Sequence, residues 1–225
     1  MPLRRVPLRL RVSASSALAL VLSVAAAWGV ILDRIAVSVG NQVITLRDVE
    51  RQIRVAAFLD EVKPDFSAAN KRAMAERLVD QMLIRQEMET SRFPFPSAAE
   101  VQPALDKIKK TFPTDADYQK ALAAYGIAEP DIQDVLLRMW TMQQFISLRF
   151  RPAVQVSDQE IQDYFDQVVA PAARSAHPGQ PVKLEDYRSQ IEDKLTGQRA
   201  DQALDTWLKE ARKRTEIVFH QEAFE

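Results

Sequence analysis

Apolar residues recur along this chain with two different periods, and the period decides the element. In RIAVSVGNQVITL, Ile35, Val37 and Val39 alternate with Arg34, Ala36 and Ser38, the rhythm of a half-buried strand. Gly40 and Asn41 tolerate the positive φ of a tight hairpin, so 42–44 returns as a short second strand. From Thr45 onward the spacing is that of helices. Thr45 with Asp48, Ser97 with Glu100, Thr114 with Asp117 and Ser157 with Glu160 each set a hydroxyl three residues before an acid. In that pairing the two side chains satisfy each other's free backbone donors and start a helix. Pro130 marks a further start, because proline fits the first helical turn. These signals predict helices near 46–60, 69–91, 98–111, 115–124, 130–149, 158–168 and 184–214. The breaks fall at Pro64, FPFP at 93–96, Pro113, Gly126, Pro152 and APAARSAHPGQP at 170–181.

The final helix places Tyr187, Ile191, Leu195, Leu204, Trp207, Leu208 and Ala211 close to one broad face. Gly197 interrupts it and permits a bend, while Lys209, Arg212, Lys213 and Arg214 suit the negative pole of the helix dipole. EIVFH at 216–220 then alternates again, with Ile217 and Phe219 on one side. So short a strand needs a partner, and the opening hairpin is the candidate. The expected fold is mainly α, of α+β type: a multi-helix core with one small antiparallel sheet joining the hairpin to the C-terminal strand.

Residues 1–32 read differently. Arg4, Arg5, Arg9 and Arg11 precede an uncharged run, SALALVLSVAAAW lies within it, and Ala25, Ala26 and Ala27 supply small residues for cleavage. That pattern predicts an export signal. The uncharged run over 12–32 also reaches the roughly 20 residues that span a bilayer, so an uncleaved anchor is the alternative. Either reading puts the bulk of the chain outside the cytoplasm. Cleavage after Ala27 removes four of the 30 basic side chains and none of the 31 acidic ones, leaving an acidic chain unsuited to nucleic acid. No cysteine is present, so packing alone holds the exported chain, and 47% hydrophobic residues make a sizeable core feasible.

Catalytic chemistry finds little support in this sequence. His177 lies among prolines with nothing local to orient it, and His220 is expected on the outer face of an edge strand. No HExxH and no calcium-loop pattern occurs, and five unclustered glycines make no phosphate cradle. Asp158, Glu160, Asp163 and Asp166 read as a helix start and a solvated face. No cofactor is expected.

What remains is soft apolar surface. Met74, Met82 and Met88 fall on or near one helix, and Met139, Trp140, Met142 and Phe145 on another. Methionine and broad aromatics adapt to many partner shapes, although for any one of these residues packing against the others as core is the plainer expectation. In FPFP, proline either displays Phe93 and Phe95 or turns them onto the core.

The order of these segments carries a resemblance. LDRIAVSVGNQVITLRDVERQI, RLVDQMLIRQEM, PDIQDVLLRMWTMQQFISLRFRPAVQVSDQEIQDYFDQ and LEDYRSQIEDKLTGQRADQALDTWLKEARKRTEIVF resemble the SurA family of periplasmic chaperones and peptidyl-prolyl isomerases. The first three are similar to its N-terminal domain, here 33–169. The last is similar to the C-terminal helix and strand that complete that domain, here 183–225. Parvulin-type isomerase modules stand between these parts in full-length members, whereas here only a Pro/Gly linker over 170–182 occupies the place, too short to fold as such a module.

The resemblance therefore implies the chaperone core alone: a non-enzymatic, ATP-independent holdase. Its implied partners are unfolded or nascent envelope polypeptides, outer-membrane β-barrel proteins among them. Met74, Met82, Met88, Phe93, Phe95, Met139, Trp140, Met142 and Phe145 are the candidate client-binding residues. Two other roles stay open: a membrane-tethered assembly or structural subunit of the envelope, and an isomerase.

Overall fold

The computed structural model describes residues 33–177 and 179–225; the expected export signal or anchor over 1–32 lies outside them. The hairpin forms as the alternation predicts. β1 (Ile35–Val39) turns through Gly40, whose φ of +56° favours glycine, into β2 (Gln42–Thr45). The inward face is not the expected one throughout. A register shift between Ile35 and Val37 breaks the alternation, so Ala36 is buried beside Val37 and Val39 while Ile35 stays 43% exposed. One extra residue on a strand re-aims the side chains that precede it.

Thr45 caps α1 (Leu46–Leu59) reciprocally. Its hydroxyl accepts from the Asp48 amide at 3.2 Å, and its own amide donates to the Asp48 carboxylate at 3.1 Å. Ser67 caps α2 (Ala68–Thr90), and Ser97 opens α3 (Ala98–Lys109). Thr114 opens α4 (Asp115–Tyr125), which ends on left-handed Gly126. α5 (Glu129–Arg149) carries Pro130 in its first turn, and the Asp131 carboxylate accepts the Ala128 amide at 2.8 Å.

Ser157 starts α6 (Asp158–Tyr164), and here the structure corrects the expectation of a Pro/Gly linker from residue 170. The chain continues through a wide turn at Phe165–Val169 into α7 (Ala170–Ala176), with Ala170 fully buried. Pro171 has no amide to donate and would break a regular helix. The wide turn ahead of it, in which the Ala170 amide reaches back to the Phe165 carbonyl, absorbs that defect. Helical structure thus runs on to Ala176, and a single turn at Leu184–Asp186 precedes the last helix, α8 (Arg188–Arg214).

β3 (Ile217–Phe219) closes the fold, pairing antiparallel with β1 in the register Val37 to Phe219 and Val39 to Ile217. The sheet order β2-β1-β3 makes β1 the central strand, although β3 lies far from it in sequence. The fold is therefore mainly α with one small antiparallel sheet joining the two ends of the described chain.

Among the described residues, buried side chains form four clusters. The sheet, α1, α2 and the end of α8 share one built on Val37, Val39, Val49 and Val79. α1 packs with α3, α4 and α5 around Tyr118 and Leu105. α2, α5 and α8 meet at Ile84, Met88, Phe145 and Leu204. A fourth cluster joins α6 and α7 to α8 through Ile161, Phe165 and Ile191. Arg212 locks the last turns of α8 onto α2, donating to Asp80 at 2.7 Å, to the Glu76 carboxylate at 2.6 Å and to the Glu76 carbonyl at 3.0 Å.

Candidate functional site

Because α1, α2 and α5 pack side by side under one edge of the sheet, a cleft opens where their exposed faces meet. Its volume is about 480 Å³, within the range of ligand pockets. β2 contributes residues 42–44 at its rim, a strand edge not covered by another described strand. α1 presents Asp48, Arg51, Gln52 and Val55, spaced three and four apart on one helical face. α2 presents Leu78, Gln81, Met82, Arg85 and Glu89, and α5 presents Asp131, Asp134, Val135, Arg138, Thr141 and Met142 with the same periodicity.

Charge is distributed unevenly over this surface. Arg51 pairs with Asp48 at 3.1 Å and with Asp131 at 3.8 Å, and Arg85 with Glu89 at 3.0 Å. These half-exposed pairs neutralise each other and contribute little to stability. Arg138 differs. Its Nη2 donates to Oε1 of the buried Gln52 at 2.5 Å, while its Nε is sealed from solvent with no partner among the described residues. Burial holds the Arg138 guanidinium below the usual arginine range, and the charge of Asp134 offsets that only in part. Gln81 Oε1 is a second buried atom without a described partner on the same cleft wall.

The nine residues singled out from the sequence divide three ways. Met82, Phe95 and Met142 line the cleft. Met139, 56% exposed, and Trp140, 42% exposed, lie on α5 outside it. Met74, Met88 and Phe145 are corrected to core positions, since all three are buried, and Phe93, partly buried, packs against the cluster that holds Met88 and Phe145. Phe145 is boxed by Phe93, Phe150 and Trp207 at ring distances of 6.5, 5.4 and 5.0 Å. Met88 and Phe145 sit where α2, α5 and α8 converge, a position that helical spacing alone does not distinguish from a groove. FPFP does both things considered for it: Phe93 turns onto the core, and Phe95 stays 41% exposed at the cleft, with the Arg85 guanidinium 5.7 Å from its ring centroid.

Sequence reading missed the polar half of the site. Gln52, Gln81 and Arg138 are polar, so apolar periodicity does not mark them. The signal was present, since Asp131, Val135, Arg138 and Met142 mark one stripe of α5 at steps of three and four.

His220 lies just past the edge strand β3, its ring 3.0 Å from the Ser38 hydroxyl and 3.8 Å from the Glu222 carboxylate, and none of these residues lines the cleft. Among the described residues, no group of three or more His, Cys, Asp or Glu side chains gathers to hold a metal ion, and no helix is long and apolar enough to cross a membrane. No protein-family model and no curated protein matches the chain.

Proposed function

We propose that the chain is an ATP-independent holdase of the cell envelope, a non-enzymatic chaperone that takes apolar segments of unfolded envelope proteins into the cleft between α1, α2 and α5. Outer-membrane β-barrel proteins are the client class, because their alternating apolar and aromatic strands aggregate when unpaired. The observation that carries this reading is the cleft wall itself, where the flexible thioethers of Met82 and Met142 and the half-exposed ring of Phe95 line one cavity. Such side chains adapt to many partners because methionine is unbranched and polarizable. Burying about 400 Å² of client surface yields roughly 10 kcal/mol gross, and ordering an extended client consumes much of it. Binding is therefore reversible, and release needs no nucleotide. Export to the periplasm, free or tethered, rests on residues 1–32.

The test is suppression of aggregation when an unfolded β-barrel protein is diluted from urea into the full-length chain without nucleotide. Suppression at near-stoichiometric ratio, weakened by Phe95→Asp and leaving the isomerisation rate of a proline tetrapeptide unchanged, is the expected result. Aggregation that proceeds unaltered in excess chain refutes the reading.

A further inference from the structure

The lining of the cleft carries more than apolar adaptability. Of its three arginines, Arg51 and Arg85 are matched by carboxylates on the same surface, whereas Arg138 meets none among the described residues. Gln52 grips it from one side, and a buried amide oxygen fixes a guanidinium's orientation without cancelling its charge. The carboxylates of exposed Asp134 and of Asp48 act on it through space, and neither forms an ion pair with it among the described residues. A partly desolvated cation that its own protein compensates only in part costs stability, and the hydrogen-bonded complement it lacks among the described residues is a planar anion with two acceptor oxygens. Val135 and Met142 stand one helical turn to either side of Arg138 on the same cleft-lining stripe of α5.

We propose that the cleft recognises the C-terminal carboxylate of a client chain whose last residues are apolar, with Arg138 as the carboxylate-binding residue and Gln52 as its positioning residue. This inference rests on the reading of the cleft as a client groove and specifies which part of the client enters it. The chain end is favoured over an acidic side chain because only there does one residue carry both a carboxylate and an apolar side chain, the two features presented together around Arg138.

The experiment is fluorescence anisotropy of the full-length chain with three labelled apolar decapeptides. One has a free C-terminal carboxylate, one is its C-terminal amide, and one is the amide carrying a single internal aspartate. The free acid is expected to bind at least about ten-fold tighter than the plain amide, as loss of one member of a buried charge pair predicts. Arg138→Gln should bring the acid down to the amide, and Arg138→Lys should restore part of the difference. Equal binding of acid and plain amide overturns the carboxylate assignment while leaving the holdase reading intact. Amide with internal aspartate binding as tightly as the free acid overturns the chain-end assignment. Absence of binding by all three, together with unaltered client aggregation, sinks the holdase reading itself. The comparison of acid with amide uses the unmodified protein, so it decides the question even if Arg138→Gln does not fold.

Discussion

Phe145 separates a core role from a binding role more sharply than any other candidate. It is fully buried at the junction of α2, α5 and α8, edge-on to Phe150 and Trp207 and tilted against Phe93. Phe145→Ala removes the ring and leaves a cavity whose walls belong to three separate helices, which limits collapse. Buried Phe→Ala changes cost about 3–5 kcal/mol, and well-placed aromatic pairs push such a site toward the upper part of that range, so about 4 kcal/mol is expected. For a body of this size that corresponds to a fall in Tm of roughly 10 °C. Urea unfolding read through tryptophan fluorescence is the assay, because Trp207 lies 5.0 Å from the lost ring. The midpoint should drop with little change in the denaturant slope. Met139→Ala, at a side chain 56% exposed, is the control and should change stability by less than about 0.5 kcal/mol. A loss below about 1 kcal/mol for Phe145→Ala would refute the assignment to the core and return the residue to the candidate binding surface.

Three further outcomes follow from the packing. Arg212→Ala should destabilise by about 2–3 kcal/mol in the same urea assay, since Asp80 and Glu76 lose a shared partner; Arg212→Lys should recover less than half, lacking the planar fork that reaches both. Removing residues 217–225 strips β3 from the central strand and takes Phe224, 3% exposed, out of the core; about 4–6 kcal/mol should be lost, with limited proteolysis cutting first around the exposed hairpin. Tyr118 is buried, and burial, with the Glu129 carboxylate close enough to repel a phenolate, pushes its pKa from 10.0 to about 12. The unfolded chain therefore releases this proton first, so stability is unaffected below about pH 10 and falls as pH rises toward 12. Phenolate absorbance and urea midpoints across that window check it, and Tyr118→Phe should reduce the slope, leaving the share of Lys109, whose pKa its hydrogen bond to Glu129 raises.

Local chemistry made much of this protein legible. Thr45, Ser97 and Ser157 start helices because each reciprocal pair with an acid three residues on is complete within one turn, needing nothing from the rest of the chain. The Gly40 turn and the alternation of Val37 and Val39 are likewise short-range, and the closure of β3 on β1 could be read because a three-residue strand cannot satisfy its own backbone. Tertiary structure decided what periodicity leaves degenerate. Met82 and Met88 share α2, yet one lines the cleft and the other is sealed beneath α8; Met142 and Phe145 divide in the same way on α5. A helix stripe records only that a face is apolar, and which neighbour covers that face depends on contacts distant in sequence. Pro171 and Ala170 looked like a linker for the same reason, because the burial that holds this segment helical comes from packing with α8. That Arg138 has no ion pair among the described residues could only emerge in three dimensions, since pairing depends on what every surrounding element brings within reach.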